Sequence, residues 1–399
     1  MSTTMEQGRT ASGTPDGPRL GYLSGILTVF ELEMKQRIRS RAWYVMLAVW
    51  FAVIALVTGL AAYTAGFDEG TGQVMFELVV GFVLFFGFLV VPALSANSIT
   101  GDRAGGTLAI LQNTLLTPGQ IVLGKWLAAW VAALGFLVAA VPMIAWAMSY
   151  GDVYLPAVPV FLLLAAVELG IACAIGVGVS ARSNRPLFAI VASYLLVALL
   201  GLGTVIAYGL SYRLVESTAV VHTQVFPNDP WSNVEYDAEG RVLGEDGEPL
   251  NSAEEQAFFE EIDRKYQDPA IDTEYYVCSS QGGVQPVFHT ERITWLLAAN
   301  PFVVVADAVP QRERDPESWG AEGPMAAISQ GVRMSQAGPA ATTPCRDGVK
   351  REPTDLSGQP PIWPLGLGLQ LLLAGGLMFS GRRRLATPAG KLATGTRIA

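Results

Sequence analysis

The chain has 399 residues, of which 51% are apolar and only 15% are charged, and its mean hydropathy is +0.37. This composition excludes an ordinary soluble domain and indicates a membrane protein. The net charge of −9 does not describe the apolar part, because almost all of the excess acid lies in one long segment before the last apolar run. No basic stretch carries interleaved aromatic residues, so the sequence predicts no nucleic-acid partner.

The N-terminal part of the chain predicts a tail followed by one amphipathic helix. Residues 1–18 are rich in Gly, Ser, Thr and Pro and are expected to form a disordered tail. In residues 19–42, Leu23, Ile26 and Val29 share one helical face, and charged side chains follow them. A helix of this kind lies in the membrane interface.

Six apolar runs predict membrane-spanning helices. Each is nearly free of charge and long enough to cross about 30 Å of hydrocarbon at roughly 20 residues, where helices satisfy their own backbone groups. The predicted spans are Trp43–Ala65, Val74–Leu94, Ile121–Met148, Leu155–Val179, Leu187–Leu210 and Ile362–Phe379. Residues 43–210 therefore hold five spans, and residues 361–381 hold the sixth.

Basic residues in the short connections predict the orientation of the bundle. With both termini cytoplasmic, every basic connection falls on the cytoplasmic side, and the opposite short connections carry only acids. The basic residues are Lys35, Arg37, Arg39 and Arg41 before the first span, Arg103 and Lys125 between the second and third, Arg182 and Arg185 between the fourth and fifth, and Arg382, Arg383 and Arg384 in a basic tail at 382–399. We therefore expect a multi-pass protein of the cell (plasma or inner) membrane, with the long acidic segment outside.

A short amphipathic helix is predicted between the second and third spans, at about residues 106–117. Leu108, Ile110, Leu111 and Leu115 recur there at helical spacing, but the segment is too short to cross a bilayer. Thr117-Pro118-Gly119 ends it and begins the next helix. A segment of this kind at the membrane surface is typical of a docking element.

The stretch from Gly119 to Lys125 satisfies most of the phosphate-loop pattern but does not predict a nucleotide site. Trp126 stands where a Ser or Thr would have to reach the magnesium ion, and a membrane helix follows without a preceding strand. The sequence therefore predicts no ATPase in this chain.

The fourth span combines small residues with a carboxyl group. Gly170, Ala174 and Gly178 recur at helical spacing, which predicts close packing against a neighbouring helix, within the bundle or between two protomers. Glu168 lies well inside the span, and an acid there is costly. It is interpreted as a residue of a translocation path or as a carboxyl hydrogen-bonded within the bundle. Glu77, near the outer end of the second span, is interpreted as a second functional candidate or as a side chain that simply reaches the membrane interface.

Residues 211–360 predict an extracellular α/β domain inserted between the last two spans. A hairpin is expected around Gly240, and Glu274 to Cys278 is expected to be a strand. A helix is predicted to begin with a capping box of Ser252 and Glu255. The apolar run 293–309 is interrupted by Asn300-Pro301, and counting it as a span would place the Arg382–Arg384 cluster outside. It is therefore interpreted as interfacial or re-entrant.

The cysteines and histidines leave two alternatives open in this domain. Cys278 and Cys345 form either a disulfide, worth about 4 kcal/mol on the chain-entropy model, or two free thiols. His222 and His289 lack metal-site spacing, so no metal site is predicted. Cys173, inside the fourth span, is expected to be a packing residue.

The order of motifs from Gly101 to Lys125 resembles a known transporter family. A charged pair is followed by Gly-Thr-Leu, a Leu-rich turn, Thr-Pro and finally Gly-Lys at the head of a span. In this order the motifs resemble the permease (membrane-spanning) subunit of type-two ABC exporters. Phe30 to Arg41 is similar to the elbow helix of that family, and the exit of the fourth span, Val179 to Arg185, also resembles it. One departure is the sequence Asp102-Arg103-Ala-Gly-Gly, where the family usually carries a Glu-rich run.

The resemblance implies a complete architecture and a set of partners. The fold would be an all-α polytopic membrane bundle, with six transmembrane helices plus an N-terminal elbow helix, and with the inserted extracellular α/β domain. A separate cytoplasmic ABC ATPase would hold ATP and magnesium, so this chain would have neither a cofactor nor catalytic residues. A second permease subunit, identical or different, would complete the path in the lipid membrane. The ATPase-coupling interface would comprise Asp102, Arg103, Thr107, Leu108, Leu111, Leu115 and Leu116.

The sequence leaves two alternative functions. One is a six-span receptor or assembly protein whose outer domain binds a ligand. The other is an ion-coupled carrier that uses Glu168, but a carrier favours an internal repeat and more buried ionisable residues, which the sequence lacks. The substrate class and the choice between homodimer and heterodimer do not follow from the sequence.

Overall fold

The computed structural model describes residues 21–65, 71–108, 116–151, 153–238, 240–244, 246–267, 275, 277–310, 323–342, 345–346, 349–350 and 356–386. The predictions for residues 1–18, for Leu111 and Leu115, and for the tail beyond residue 386 lie outside these residues. The chain divides into two compact units. Unit 1 comprises Met1–Gly203, Ala299–Ile328 and Trp363–Ala399, and unit 2 comprises Thr204–Ala298 and Ser329–Ile362.

Helices dominate the described residues. The α-helices are α1 Tyr22–Arg39, α2 Arg41–Ala65, α3 Thr71–Ser95, α4 Thr100–Ala104, α5 Pro118–Met148, α6 Ala157–Arg182, α7 Pro186–Ala198, α8 Thr204–Ser211, α9 Ser252–Tyr266, α10 Pro301–Ala308, α11 Pro324–Ala337, α12 Pro339–Thr342 and α13 Trp363–Leu385. A π-helical segment, Leu199–Gly203, joins α7 to α8. Short 3₁₀ turns occupy Tyr212–Val215, Pro230–Asn233, Thr290–Arg292, Thr294–Leu297 and Leu356–Gly358.

Within the described residues, six helices are long and apolar enough to cross a membrane, as the sequence predicted. They are α2, α3, α5, α6, the continuous α7–π–α8 helix, and α13. The structural ends extend the predicted ones where polar or Pro residues continue the helix. For example, the third spanning helix begins at Pro118 rather than Ile121, because Thr117 caps it and a proline is tolerated in the first turn.

The core of unit 1 is centred on α6, the most buried of the six spanning helices. Its small residues let neighbouring backbones approach closely: a Cβ at Gly178 would lie 2.8 Å from the Leu377 carbonyl carbon of α13. A Cβ at Gly170 would lie 2.9 Å from the ring nitrogen of Trp130 in α5. The predicted packing within the bundle is therefore confirmed.

Glu77 is enclosed by protein and bound by a neighbouring helix. Its side chain is buried, and its Oε2 accepts hydrogen bonds from the backbone N–H groups of Met325 (2.8 Å) and Ala326 (3.1 Å) at the start of α11. Its Oε1 accepts from Gln73 at 2.9 Å. A carboxylate at a helix N-terminus satisfies free N–H groups and complements the helix dipole. Glu77 is buried because its hydrogen-bond donors lie about 250 residues later in the chain, and the local sequence pattern does not reveal them.

The apolar run 293–309 is broken at the predicted point. Asn300 caps α10, accepting from Phe302 N at 2.9 Å, and Pro301 is the first helical residue. At 8 residues, α10 is too short to cross a bilayer. Its placement in the membrane interface stays a prediction. Asp307, near the end of α10, accepts from the backbone N–H of Trp363 at 3.0 Å, at the start of α13.

Unit 2 is built on a four-stranded sheet in the order β2-β1-β3-β4. Strands β1 Glu216–Val225 and β2 Val277–Phe288 pair antiparallel, and β3 Cys345–Arg346 and β4 Val349–Lys350 add the other side. The predicted hairpin is confirmed by an antiparallel bridge between Tyr236 and Val242, with Gly240 at a φ of 81°.

The helix cap predicted in unit 2 was displaced by one residue. The N-cap of α9 is Asn251, which accepts from Glu254 N at 3.1 Å while Glu254 accepts from Asn251 N at 3.0 Å. Ser252, expected as the cap, is the first helical residue. Asn and Ser are both favoured at the N-cap position. Glu254 follows Asn251 by three residues and Glu255 follows Ser252 by three, so the sequence allows a capping box at either position.

Cys278 of β2 and Cys345 of β3 are joined by a disulfide, with their Cα atoms 5.5 Å apart. Cys173 is buried within α6. The histidines of unit 2 have ordinary partners: His222 Nδ1 lies 2.7 Å from Ser279 O, and His289 Nδ1 lies 2.8 Å from Glu291.

Candidate functional site

Four segments of unit 1 meet where the second spanning helix ends and the third begins. They are the N-terminal helix α1, the turn containing α4, the first turns of α5, and the last turn of α6 with the residues that follow it. We call this arrangement the junction, and define it by the side chains of Glu33, Asp102, Arg103, Lys125 and Ser180.

Lys125 is the centre of the junction. Although it carries a charge, its side chain is only 1% exposed. Its ammonium forms ion pairs with Glu33 of α1 and with Asp102 of α4, the latter at 2.6 Å. One buried cation thus joins two acids from segments that are far apart in sequence. Removal of one partner from a buried pair is costly, since it leaves a charge uncompensated.

The α4 turn is also fixed to the end of α6. Ser180 Oγ accepts hydrogen bonds from the backbone N–H groups of Ile99 and Thr100, each at 3.1 Å. Arg103 donates to the Ser183 carbonyl and to Asn184 Oδ1, the latter at 2.7 Å. These contacts hold the turn to the connection that carries Arg182 and Arg185.

The start of α5 is fixed to the start of α1. Gln120 completes a capping box with Thr117 and also donates through Nε2 to the Tyr22 carbonyl at 3.2 Å. The helices touch closely at Gly124, where a Cβ would lie 2.9 Å from the Ile26 carbonyl oxygen. The positions of α1 and α5 are therefore set by both packing and polar contacts.

Arg37 extends the contact between α1 and the second spanning helix. Its Nη2 donates to the Leu94 carbonyl at 3.3 Å and lies 4.0 Å from Glu33. Burial lowers the pKa of the Arg37 guanidinium below its ordinary value, and the negative charge of Glu33 opposes that shift.

The residues predicted to form an ATPase-coupling interface fall into three groups. Asp102 and Arg103 are half-buried and engaged within the junction. Leu108 is buried in the core of unit 1, Thr107 is exposed, and Leu116 is half-buried. Leu111 and Leu115 lie outside the described residues, so their role stays a prediction.

The junction can transmit force but shows no chemistry of its own. The stretch from Gly119 to Lys125 is helical, and the ammonium of Lys125 is already paired, so it does not form a phosphate-binding loop. Among the described residues there is no group of three or more His, Cys, Asp or Glu side chains that could hold a metal ion. Ion pairs and hydrogen bonds thus connect the α4 turn directly to α5 and to the end of α6, and indirectly to α1 through Lys125.

Sequence reasoning missed the pairing of Lys125 with Glu33 and the role of Gln120. Lys125 is read from the sequence as an orientation signal, and Glu33 belongs to the charged part of the predicted amphipathic helix. The available signal was a lysine in the second turn of an apolar helix, since such a charge requires a partner.

Glu168 lies elsewhere in unit 1, in the middle of α6. Its side chain is 1% exposed, and it interacts with Gln370 of α13. The structure therefore places it inside the bundle, apart from the junction residues.

A family model described as ABC-2 family transporter protein matches residues 27–236, which is more than half of the chain. The matched region contains all of the junction residues. No curated protein matches the chain.

Proposed function

Because the chain belongs to the ABC-2 family of transporter proteins, we propose that it is the permease subunit of an exporter that is driven by a separate cytoplasmic ABC ATPase. It is a multi-pass membrane protein with six helices capable of spanning the bilayer among its described residues. In this proposal, two permease subunits form the translocation path, and ATP and magnesium are bound by the ATPases.

The observation that carries the proposal is the junction around Lys125. A subunit driven by a partner needs a surface turn that is rigidly connected to the membrane helices. The α4 turn has this property, because Asp102 binds Lys125 and the backbone at Thr100 binds Ser180. In this proposal, an ATPase that pushes on the adjoining segment, residues 107–116, moves the α4 turn. The ion pairs of Lys125 and the hydrogen bonds of Ser180 then pass that movement to α1, α5 and α6.

The orientation of the chain supports a cytoplasmic ATPase. The junction lies at the end of the bundle where basic residues concentrate, and the last turn of α13 carries Arg382, Arg383 and Arg384. The positive-inside rule assigns this end to the cytoplasm. Unit 2 would then be extracellular, where its disulfide is chemically favoured. The direction of transport, export, rests on the resemblance of residues 101–125 to exporter permeases.

The decisive experiment replaces the predicted apolar docking face. The double variant Leu111→Asp/Leu115→Asp should insert into the membrane but lose at least tenfold in co-purification of its ABC ATPase, because two carboxylates would be buried in an apolar contact. The ATPase is identified by mass spectrometry from its phosphate-loop peptide. Leu214→Asp is the matched control: Leu214 is 83% exposed and would lie on the opposite side of the membrane.

Two results would contradict the proposal. One is full retention of the ATPase by the double variant when the Leu214→Asp variant also retains it. The other is labelling of a cysteine placed at position 115 by an impermeant reagent added outside intact cells, because that would place the docking segment on the wrong side.

A further inference from the structure

Unit 2 contains a serine, a histidine and a glutamate whose side chains are hydrogen-bonded in series. His289 follows strand β2, and its Nε2 lies 3.0 Å from Ser217 Oγ of β1. Its Nδ1 lies 2.8 Å from Glu291 Oε1. These distances match those between a nucleophile, a general base and the group that orients the base. We call Ser217, His289 and Glu291 the triad.

The proton positions in the triad follow from what each group can accept. An ionised carboxylate only accepts hydrogen bonds, so Glu291 requires the proton on Nδ1 of His289. In the neutral imidazole this leaves Nε2 as the acceptor, and the hydroxyl of Ser217 must donate to it. Within the described residues, Ser217 Oγ has no other hydrogen-bond partner. The serine proton therefore points at a base that can remove it.

The fold holds the triad in place and leaves it open to water. The backbone N–H of His289 donates to the Val215 carbonyl at 2.9 Å. Gly338, the residue after α11, has a φ of 59°, and a Cβ built there would overlap Glu291 Oε2. Glycine at this position therefore leaves the room that the carboxylate occupies. Ser217 and His289 are half-buried and Glu291 is exposed, so water can reach all three.

A cleft of about 470 Å³ lies on the face of the sheet that carries Ser217. Val287, which pairs directly with Ser217 in the register of β1 and β2, lines this cleft. Directly opposed residues of an antiparallel pair project from the same face. Other walls of the cleft are formed by Tyr208, Tyr212 and Phe288. A cleft of this size accommodates a small organic ligand.

Gln285 can supply the hydrogen-bond donor that ester cleavage needs beside a nucleophile. It lines the cleft and precedes Val287 by two residues on β2, so it is a diagonal neighbour of Ser217 on the same face. Diagonal neighbours lie about 7–8 Å apart, within reach of a long side chain. Among the residues that the structure describes, no group binds its side-chain amide. Its N–H can therefore donate to a carbonyl oxygen that becomes negative during attack.

We propose that the triad is a serine esterase site, an activity that the resemblance to permeases does not imply. Ser217 Oγ forms a bond to the ester carbonyl carbon while its proton passes to His289 Nε2. The C–O bond to the leaving group then breaks, and the alcohol departs with that proton. A water molecule cleaves the acyl-serine by the same route, which releases the acid and returns the proton to Ser217. One ester and one water thus yield one acid and one alcohol.

The cleft selects an uncharged ester with an apolar acyl chain. The lining residues that the structure describes carry no charged side chain, and a charge without a partner is costly to bury. The rings of Tyr212 and Phe288, with centroids 4.3 Å apart, offer an apolar surface to the chain. A butyryl ester should therefore be cleaved faster than an acetyl ester. Ester cleavage consumes no ATP, so this activity is independent of the proposed ATPase coupling.

The test uses the full-length permease purified in detergent and a fluorophosphonate probe, which bonds to an activated serine hydroxyl and releases fluoride. In the wild type, mass spectrometry should find the probe on Ser217, and the protein should hydrolyse p-nitrophenyl butyrate. Ser217→Ala should abolish both. His289→Gln should lower both rates by about 100-fold or more, because the base is lost. Glu291→Gln should lower kcat and leave KM nearly unchanged, since Glu291 orients the imidazole without touching the ester.

His222→Gln and Ser279→Ala are the matched controls. This second histidine–serine pair of unit 2 has a different geometry, because His222 Nδ1 lies 2.7 Å from the backbone carbonyl oxygen of Ser279. The hydroxyl of Ser279 donates to the Gln281 carbonyl at 2.8 Å, so it faces no base. Both control variants should be labelled, and should hydrolyse the ester, at the wild-type rate.

Size-exclusion profiles first establish that each variant is folded. Absence of either labelling or hydrolysis in the wild-type protein overturns the proposal, as does activity that persists in Ser217→Ala. Equal losses in His289→Gln and His222→Gln also overturn it, because they would show that the structure of unit 2, rather than one base, is required. None of these results bears on retention of the ATPase, which is measured separately.

Discussion

The junction predicts a large and specific cost for removing one lysine. In Lys125→Met, the side chain keeps its approximate volume but loses the ammonium that binds Glu33 and Asp102. Lys125 is 1% exposed and its partners are 13% and 28% exposed. The substitution leaves two facing carboxylates with no cation between them.

The magnitude follows from the burial of each partner. Breaking a buried ion pair by removing one member costs about 3–5 kcal/mol. Water reaches part of Asp102, which partly solvates the orphaned carboxylate, so we expect about 3 kcal/mol, the lower end of that range. Lys35→Met is the matched control, because Lys35 pairs with Glu31 on the same helix α1 but both side chains are more than 60% exposed. Its cost should be much smaller, because solvent-exposed ion pairs contribute little to stability.

The assay is denaturant unfolding of the purified permease in detergent, followed by tryptophan fluorescence. A third variant, Glu33→Gln/Asp102→Asn/Lys125→Met, removes all three charges. It should recover most of the loss, because neutral groups of similar shape carry no uncompensated charge. If Lys125→Met were no more destabilising than Lys35→Met, the buried ion cluster would not be what holds the junction together. If the triple variant were as unstable as Lys125→Met, packing rather than charge would be the cause.

Two further predictions concern other parts of the chain. Replacing Cys278 and Cys345 by Ser should destabilise unit 2 by about 4 kcal/mol, given the sequence separation of 67 residues; unfolding with and without reductant measures it, and a reductant-insensitive wild type would refute it. Gly178→Ala should cost about 1–3 kcal/mol, because the new Cβ would lie 2.8 Å from the Leu377 carbonyl carbon. Gly376→Ala on α13 has open space and should be nearly neutral in the same denaturant unfolding assay, so equal effects of the two changes would contradict the packing argument.

The membrane helices could be predicted from sequence because their cause is local. The length of an apolar run by itself decides whether a helix can cross the bilayer. Thr117 and Pro118 begin the third spanning helix locally, because Thr117 caps it and Pro118 has a fixed φ that suits the first turn. The same locality explains the confirmed turn at Gly240 and the break at Asn300-Pro301. The one-residue error at Ser252 arose because Asn251 and Ser252 are both good caps and acids follow at both spacings.

The polar contacts could not be predicted because their partners are distant in sequence. Nothing near Lys125 in the chain indicates Glu33, and nothing near Glu77 indicates the N-terminus of α11. Both charges signalled only that some partner must exist, since each lies in an apolar helix. Identifying the partner required the packing of α1 on α5 and of α11 beside α3.

The spacing of the two cysteines of unit 2 also constrains how the protein is made. Cys345 follows Cys278 by 67 residues, and Ala299–Ile328 of unit 1 is synthesised in between. At translation rates of about 5–20 residues per second, Cys278 waits roughly 3–13 s before Cys345 is synthesised. The disulfide can therefore close only after Ala299–Ile328 has been made, so the sheet of unit 2 is without its covalent link until then.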